Sequence, residues 1–211
     1  SAANHNTYLR DNLAALWPFT TAGDIAIASS AAELSKLSIG TAYQRPRVKS
    51  DASGLEYVND GLTLIEEHLC AVDTAYIEFV TIPQIYRHLK LFGQARSTKS
   101  PDGAVDLKLQ FNGDTGANYN SQQLSASGTY STASESIGAA SAIAGSICAA
   151  GAPSGEAGIF ELSVPNYRGG FKKQLRSISG YRYSTGSEKT VQVDNFASWS
   201  SSNAITSIKL F

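Results

Sequence analysis

The stretch VDLKLQF, residues 105–111, decides the fold because apolar and polar residues alternate along it. Leu107, Leu109 and Phe111 fall on one face of an extended chain, and the residues between them are polar. A period of two is the spacing at which a β-strand returns a side chain to the same face. The stretch therefore predicts a strand that is buried on one side.

Further segments of strand length lie on both sides of this stretch. We predict strands over residues 76–82, 85–92, 158–164, 174–183, 189–193 and 204–210. Turn-forming residues separate them at 101–103, 112–114, 168–170 and 184–187. No helical pattern of comparable strength lies between these strands. The sequence therefore predicts a mainly β domain over residues 62–211, an antiparallel β-sandwich of jelly-roll or immunoglobulin-like kind.

One stretch within this domain, residues 121–155, is rich in Ser, Ala and Gly. Its apolar residues, such as Ile137, Ile143 and Ile147, are isolated from one another. We expect a strand or a short helix in part of it and a long surface loop over the rest, because a polar, low-complexity segment contributes little to a core.

Residues 1–19 have a helical pattern. Asn4 is a candidate N-cap, and Pro18 ends the pattern. The predicted partner-binding residues of this arm are Tyr8, Leu9, Leu13, Leu16 and Trp17. A helix of this length is marginal alone in water, so its apolar stripe must pack against either a partner subunit or the chain's own domain.

Residues 20–61 form a segment of a different kind, with short apolar clusters separated by Gly, Ser and Thr. The clusters that we predict to bind a partner contain Ile25, Ile27, Leu34 and Leu37. Each cluster is too small to offset the conformational entropy lost when the segment becomes ordered. We therefore expect an extended attachment segment that orders on another surface.

Composition narrows the function classes further. The 211 residues carry a formal net charge of −1, which predicts no nucleic-acid partner. No apolar run reaches the length of a membrane span, and the first residues lack a secretory signal pattern. We therefore expect a soluble protein that is made in a cell without export and has no membrane partner. Cys70 and Cys148 have apolar or small neighbours, as buried free thiols do. A disulfide between them is the alternative.

No catalytic motif is present. His5, His68 and His88 lack the surroundings of a catalytic base, and the chain has no nucleophile elbow, P-loop or zinc-protease motif. The pairs Glu66 with Glu67 and Asp114 with Glu161 are not placed by the sequence at a separation suited to glycoside hydrolysis. We therefore predict a non-enzymatic protein with no cofactor and no bound metal.

The turn FNGDTGANY, residues 111–119, is dense in Asn, Gly and Asp at the end of a predicted strand. Asn112, Asp114 and Asn118 either bind a ligand, such as a calcium ion or a sugar, or accept hydrogen bonds from the backbone of the turn itself. Trp199 belongs to a group of C-terminal aromatic residues that is either a carbohydrate platform or part of the core. The internal, structural role is favoured for both groups.

The segment 20–58 resembles a recurrent segment of tailed-bacteriophage fibres and related virion proteins. The matching residues are Thr20, Thr21, Gly23, Asp24, Ala28, Ser29, Leu34, Leu37, Gly40 and Thr41. The stretches 82–97, 109–119, 164–174 and 204–211 resemble, in this order, landmarks of a phage β-sandwich module. The usual Gly-Gln-Val-Leu strand is replaced by AYQRPRV at residues 42–48, and Tyr57 stands near an expected Trp.

This resemblance implies a structural subunit of the virion, which is assembled in the bacterial cytoplasm. It would be a capsid decoration (cement) or head-fibre protein, or a tail-fibre relative. The implied partners are major capsid or tail proteins and two further copies of the chain in a homotrimer. The alternative is a receptor-binding protein that recognises a host-surface glycan.

Overall fold

The computed structural model describes residues 20–30, 33–42, 44–59, 61–100, 102–184 and 188–211. The chain forms two compact units, Ser1–Leu64 and Ile65–Phe211. The predicted helix of residues 1–19 lies outside the described residues. The finer division into an arm of residues 1–19, a segment of residues 20–61 and a domain of residues 62–211 therefore stays a prediction.

Two separate antiparallel hairpins lie in the part of the N-terminal unit that the structure describes. In the first hairpin, β1 (Ile25–Ser30) pairs with β2 (Glu33–Leu37). In the second, β3 (Gln44–Val48) pairs with β4 (Leu55–Asn59). The predicted extended segment is thus folded back on itself twice, so that its strands pair with each other.

The described residues of the C-terminal unit form ten strands: β5 (Ile77–Phe79), β6 (His88–Ala95), β7 (Ala104–Phe111), β8 (Tyr119–Ser127), β9 (Tyr130–Ala139), β10 (Ala142–Cys148), β11 (Gly158–Pro165), β12 (Lys173–Ser184), β13 (Glu188–Trp199) and β14 (Ile208–Leu210). They form a four-stranded sheet in the order β10-β7-β14-β5 and a six-stranded sheet in the order β6-β11-β12-β13-β8-β9. Every pairing between these strands is antiparallel.

One hydrophobic core draws on both sheets. Leu109 and Phe111 enter it from the smaller sheet, whereas Leu162, Leu175 and Trp199 enter it from the larger one. Strand β10 packs against β11, β12 and β13. In β11 and β12 every second residue is buried and the residues between them are more exposed, so these strands face the core on one side only.

The mainly β, antiparallel character that the sequence predicts is confirmed, and the described residues contain no α-helix. Residues 105–111 and 158–164 match β7 and β11 to within a residue at either end. The strand expected over 189–193 is longer and extends to Trp199. The strands expected over 76–82 and 204–210 are shorter and contain three residues each. The strand expected over 85–92 is shifted towards the C-terminus, to His88–Ala95.

The expectation of a long loop over residues 121–155 is wrong, because β8, β9 and β10 occupy most of it. Strand β9 lies at the edge of its sheet and its side chains are mostly exposed, so it carries no period-two apolar signal. Strand β10 is buried along most of its length, and the sheets approach closely there. A Cβ atom on Gly145 of β10 would lie 2.8 Å from Oγ of Ser179 in β12. Small residues therefore mark a tight contact between sheets in this stretch.

Both cysteines are free, but only Cys148 is buried, so the expectation of burial is wrong for Cys70. Cys70 lies in the irregular stretch before β5, where its neighbours Leu69 and Val72 are also exposed. In the described part of the chain, no helix is long and apolar enough to cross a membrane.

Candidate interaction sites

Asp24 holds the first hairpin closed. Its Oδ2 atom accepts hydrogen bonds from the backbone N–H groups of Thr20 and Thr21, both at 3.1 Å. Its Oδ1 atom accepts another at 2.9 Å from the N–H of Ile39, beyond the end of β2. The Nζ atom of Lys36 lies 3.4 Å from Oδ2. These hydrogen bonds, with that of Ile39 first, lower the pKa of Asp24 to about 2.

Gly23, directly before Asp24, has a backbone conformation that favours glycine. Its φ angle is 95°, in a region that side-chain-bearing residues seldom adopt. A Cβ atom at this position would also lie 2.4 Å from Cδ1 of Ile39. Gly23 and Asp24 thus shape one turn, in which both of them approach Ile39.

The first hairpin brings together the four predicted partner-binding residues of this segment. Ile25 is directly opposite Leu37, on the face that also carries Ile27, while Leu34 belongs to the other face. Ile25 is 37% exposed and Leu34 is 54% exposed. Apolar side chains therefore lie on both faces of a two-stranded sheet, which is marginally stable alone in water. The predicted arm residues Tyr8, Leu9, Leu13, Leu16 and Trp17 lie outside the described residues.

We predict that the turn at Asp24 loosens in acid. Because its pKa in the folded chain lies below the ordinary value of 3.8, the carboxylate contributes stability above that value. This contribution is lost as the pH falls towards about 2, where the folded carboxylate takes up its proton. NMR should show the amides of Thr20, Thr21 and Ile39 titrating together with a midpoint near pH 2.

The matched variant for this measurement is Asp24→Asn, which should abolish the common titration. The amide of Arg47, in the second hairpin, serves as an internal reference. A shared midpoint close to the ordinary carboxyl value would contradict the hydrogen-bonded turn.

Asn112 is occupied by internal hydrogen bonds. Its Oδ1 atom accepts hydrogen bonds from the backbone N–H groups of Thr206 (2.8 Å) and Ser207 (3.1 Å). Its Nδ2 atom donates to the carbonyl oxygen of Ala204 at 2.8 Å. The φ angle of Asn112 is 52°, and the N–H of Asp114 donates to the carbonyl oxygen of Phe111 across the turn. The predicted turn at residues 112–114 is thus confirmed.

Asp114 is occupied in the same way. Oδ2 accepts a hydrogen bond of 2.6 Å from the indole N–H of Trp199 and one of 2.9 Å from the Asn118 amide. Oδ1 accepts one of 2.8 Å from the N–H of Gly116. The bond from Trp199 is the largest cause that lowers the pKa of Asp114. Since both oxygens already accept internal bonds, this geometry favours the structural role of the turn.

Trp199 belongs to the core, where it is 3% exposed. Its ring lies 5.5 Å from that of Phe111 and 6.3 Å from that of Tyr119, measured between centroids. The Tyr119 hydroxyl accepts a hydrogen bond from the N–H of Phe111 at 2.9 Å, and burial raises the pKa of Tyr119 to about 12. Trp199 therefore anchors the turn and presents no ring to a ligand.

A cleft of about 680 Å³ lies in the C-terminal unit. Asp106 and Lys108 of β7 and Ser146 of β10 line one side, and Gln123 and Tyr181 of the larger sheet line another. Sequence reasoning missed this site. Asp106 and Lys108 have the pattern of an ordinary polar strand face, and Gln123 lies in the stretch that was expected to be a loop.

The cleft contains a fixed chain of polar groups. The amide Nε2 of Gln123 donates to Oγ of Ser146 at 3.1 Å, and Oγ of Ser146 donates to Oδ1 of Asp106 at 3.3 Å. Ser146 is buried, and its backbone N–H donates to Oγ of Ser179 at 2.9 Å. The Asp106 carboxylate is therefore held in place from inside the protein.

The described histidines make local contacts. His68 lies 2.7 Å from Oε1 of Glu66, with its ring edge-on to that of Phe79, and Nδ1 of His88 accepts a hydrogen bond from the N–H of Asn166. The described residues contain no group of three or more His, Cys, Asp or Glu side chains placed to hold a metal ion.

The chain matches no protein-family model, no curated protein and no solved structure.

Proposed function

We propose that the chain is a structural subunit of a bacteriophage particle, either a capsid decoration (cement) protein or a head-fibre subunit. In this role its first 58 or so residues attach it to the virion. Its C-terminal unit, which we infer to be a β-sandwich of jelly-roll or immunoglobulin-like kind, is displayed outward. The resemblance of residues 20–58 to phage fibre segments supports this assignment.

The observation that supports the proposal most directly is the exposure of apolar residues on the first hairpin. The pair β1–β2 has apolar residues on both faces, and Ile25 and Leu34 are among those exposed. A hairpin of this kind gains stability when another surface covers it, because burial of apolar area offsets the entropy of ordering the chain. Attachment to neighbouring subunits supplies such a surface.

Oligomerisation follows from the same reasoning. Individual attachment segments offer small contact areas, so a single copy would bind weakly. Several linked copies multiply weak contacts into a high overall affinity. A homotrimer fits the phage resemblance, and the partners would be major capsid or tail proteins.

Deletion of residues 1–19 tests this proposal. In phage particles assembled with the shortened chain as the only copy, we expect occupancy to fall at least tenfold relative to the full chain. Quantitative mass spectrometry of purified particles measures it. The double variant Ile25→Ser and Leu34→Ser should reduce occupancy in the full chain as well.

The matched control is the pair Leu124→Ser and Ile159→Ser, since both residues are exposed on the C-terminal unit. This control should leave occupancy unchanged. Full occupancy by the shortened chain would refute the attachment role, and absence of the full chain from particles would refute the virion assignment.

A further inference from the structure

We propose that the cleft of the C-terminal unit binds a neutral saccharide. This inference does not depend on attachment through the N-terminal residues, because the cleft lies wholly within Ile65–Phe211. The ligand would make no use of the turn at Asn112, Asp114 and Asn118.

The size and composition of the cleft suit a small polar ligand. Its volume of about 680 Å³ lies within the range of roughly 300–1,000 Å³ that is common for small-molecule sites. Ala104 and Val105 supply apolar lining, whereas Asp106, Gln123 and Ser125 supply polar groups. Such a mixture favours a molecule with both hydroxyl groups and C–H faces over a purely apolar one.

The charges of the lining point to a neutral ligand. Lys99 and Lys108 are balanced by Asp102 and Asp106, so the lining has no excess of either sign. Lys99 and Asp102 are already paired at 3.0 Å. The carboxylate of Asp106 would repel an anion, and the ammonium group of Lys108 would repel a cation. A neutral polyol experiences neither repulsion.

The hydrogen-bonding capacity left in the cleft matches sugar hydroxyls, which both donate and accept. Asp106 uses Oδ1 to accept from Ser146, and its Oδ2 atom has no partner among the described residues. Lys108 is likewise in none of the ion pairs between described side chains. The two residues are two positions apart on β7, so their side chains leave the same face, roughly 7 Å apart along the strand. Neighbouring hydroxyls of one sugar ring could donate to Asp106 and accept from Lys108.

Two aromatic rings complete the site. Tyr181 lines the cleft from the larger sheet, and Phe211 lines it from the end of the smaller one. The backbone of Phe211 is fixed there, since its N–H and carbonyl groups exchange hydrogen bonds with those of Lys108. Aromatic rings provide rigid contact area for the C–H face of a sugar at little cost in side-chain entropy.

Saturation-transfer NMR with the full chain tests the proposal. The probes are neutral oligosaccharides built from hexose, 6-deoxyhexose and N-acetylhexosamine units, and sialyllactose is the acidic comparison. We expect at least one neutral oligosaccharide to bind with millimolar affinity or better. Asp106→Asn should weaken it about tenfold, as expected for a lost hydrogen bond to a charged group. Lys108→Met should weaken it as well.

The control variant is Glu161→Gln, which makes the same chemical change to an exposed carboxylate that pairs with Lys90 on the larger sheet. It should bind as the unmodified chain does, and the melting temperatures of all variants should show that they are folded. Binding of sialyllactose alone, no binding of any neutral probe, or equal binding by Asp106→Asn would each overturn the proposal. None of these results would bear on the attachment of residues 1–19.

Discussion

Replacing Lys173 by Met should lower the free energy of unfolding of the C-terminal unit by about 3 kcal/mol. Lys173 is 2% exposed, at the start of β12. Its Nζ atom donates to the carbonyl oxygens of Gly169 (2.6 Å), Phe171 (2.7 Å) and Ser202 (3.0 Å). Methionine fills a similar volume but leaves these carbonyls without their donor.

Those hydrogen bonds join two loops that are distant in sequence. Gly169 and Phe171 precede β12, whereas Ser202 follows β13. The loss should therefore loosen both loops and lower the melting temperature by roughly 6–12 °C, given the usual 2–4 °C per kcal/mol for a chain of this size. Urea unfolding followed by circular dichroism measures the first quantity, and calorimetry measures the second.

Lys172→Met is the matched control, because Lys172 is the adjacent residue and is exposed. Its unfolding free energy should stay within about 0.5 kcal/mol of that of the unmodified chain. Equal stabilities for the two variants would show that the buried ammonium group does not join the loops.

Replacing Asp114 by Ala should lower the free energy of unfolding of the C-terminal unit by about 3 kcal/mol, because the buried indole N–H of Trp199 then loses its acceptor. The bond between them is 2.6 Å long, and the N–H of Gly116 loses its acceptor as well. Chemical unfolding followed by circular dichroism measures this change, and it applies equally to variants that lack Trp199. Thr115→Ala, at an exposed neighbouring position, is the control and should change little.

Trp199→Phe isolates the hydrogen bond, since phenylalanine keeps an aromatic ring but has no N–H group. If the bond is the main contribution, the effect of Asp114→Ala should be clearly smaller in the Trp199→Phe background than in the unmodified chain. Strictly additive effects of the two substitutions would contradict this explanation.

The lowered pKa of Asp114 adds a pH test. Its contribution to stability is present above the ordinary value of 3.8 and should disappear as the pH falls below it.

Local patterns predicted the strands whose two faces differ in environment. Strand β7 is an example, since Leu107 and Leu109 are buried while Asp106 and Lys108 are exposed. The same reasoning failed for β8 to β10. Strand β8 does alternate in burial, but its more buried face carries Ser and Gln, so hydrophobicity does not alternate with it. Strand β9 is an exposed sheet edge, and β10 is buried on both faces, so neither shows an alternating pattern. The turn at Asn112 was predictable because its conformation depends on a few adjacent residues.

Local sequence encodes the antiparallel β character and the turn at residues 112–114, because these depend on side-chain period and on local backbone preferences. It also singled out the residues of the first hairpin. Tertiary structure alone decided that Trp199 binds Asp114, that Lys173 joins two loops, and that β7, β8, β10, β12 and β13 form a cleft. These contacts join residues far apart in the chain, and their partners follow from the order of strands in the sheets, which no local pattern encodes.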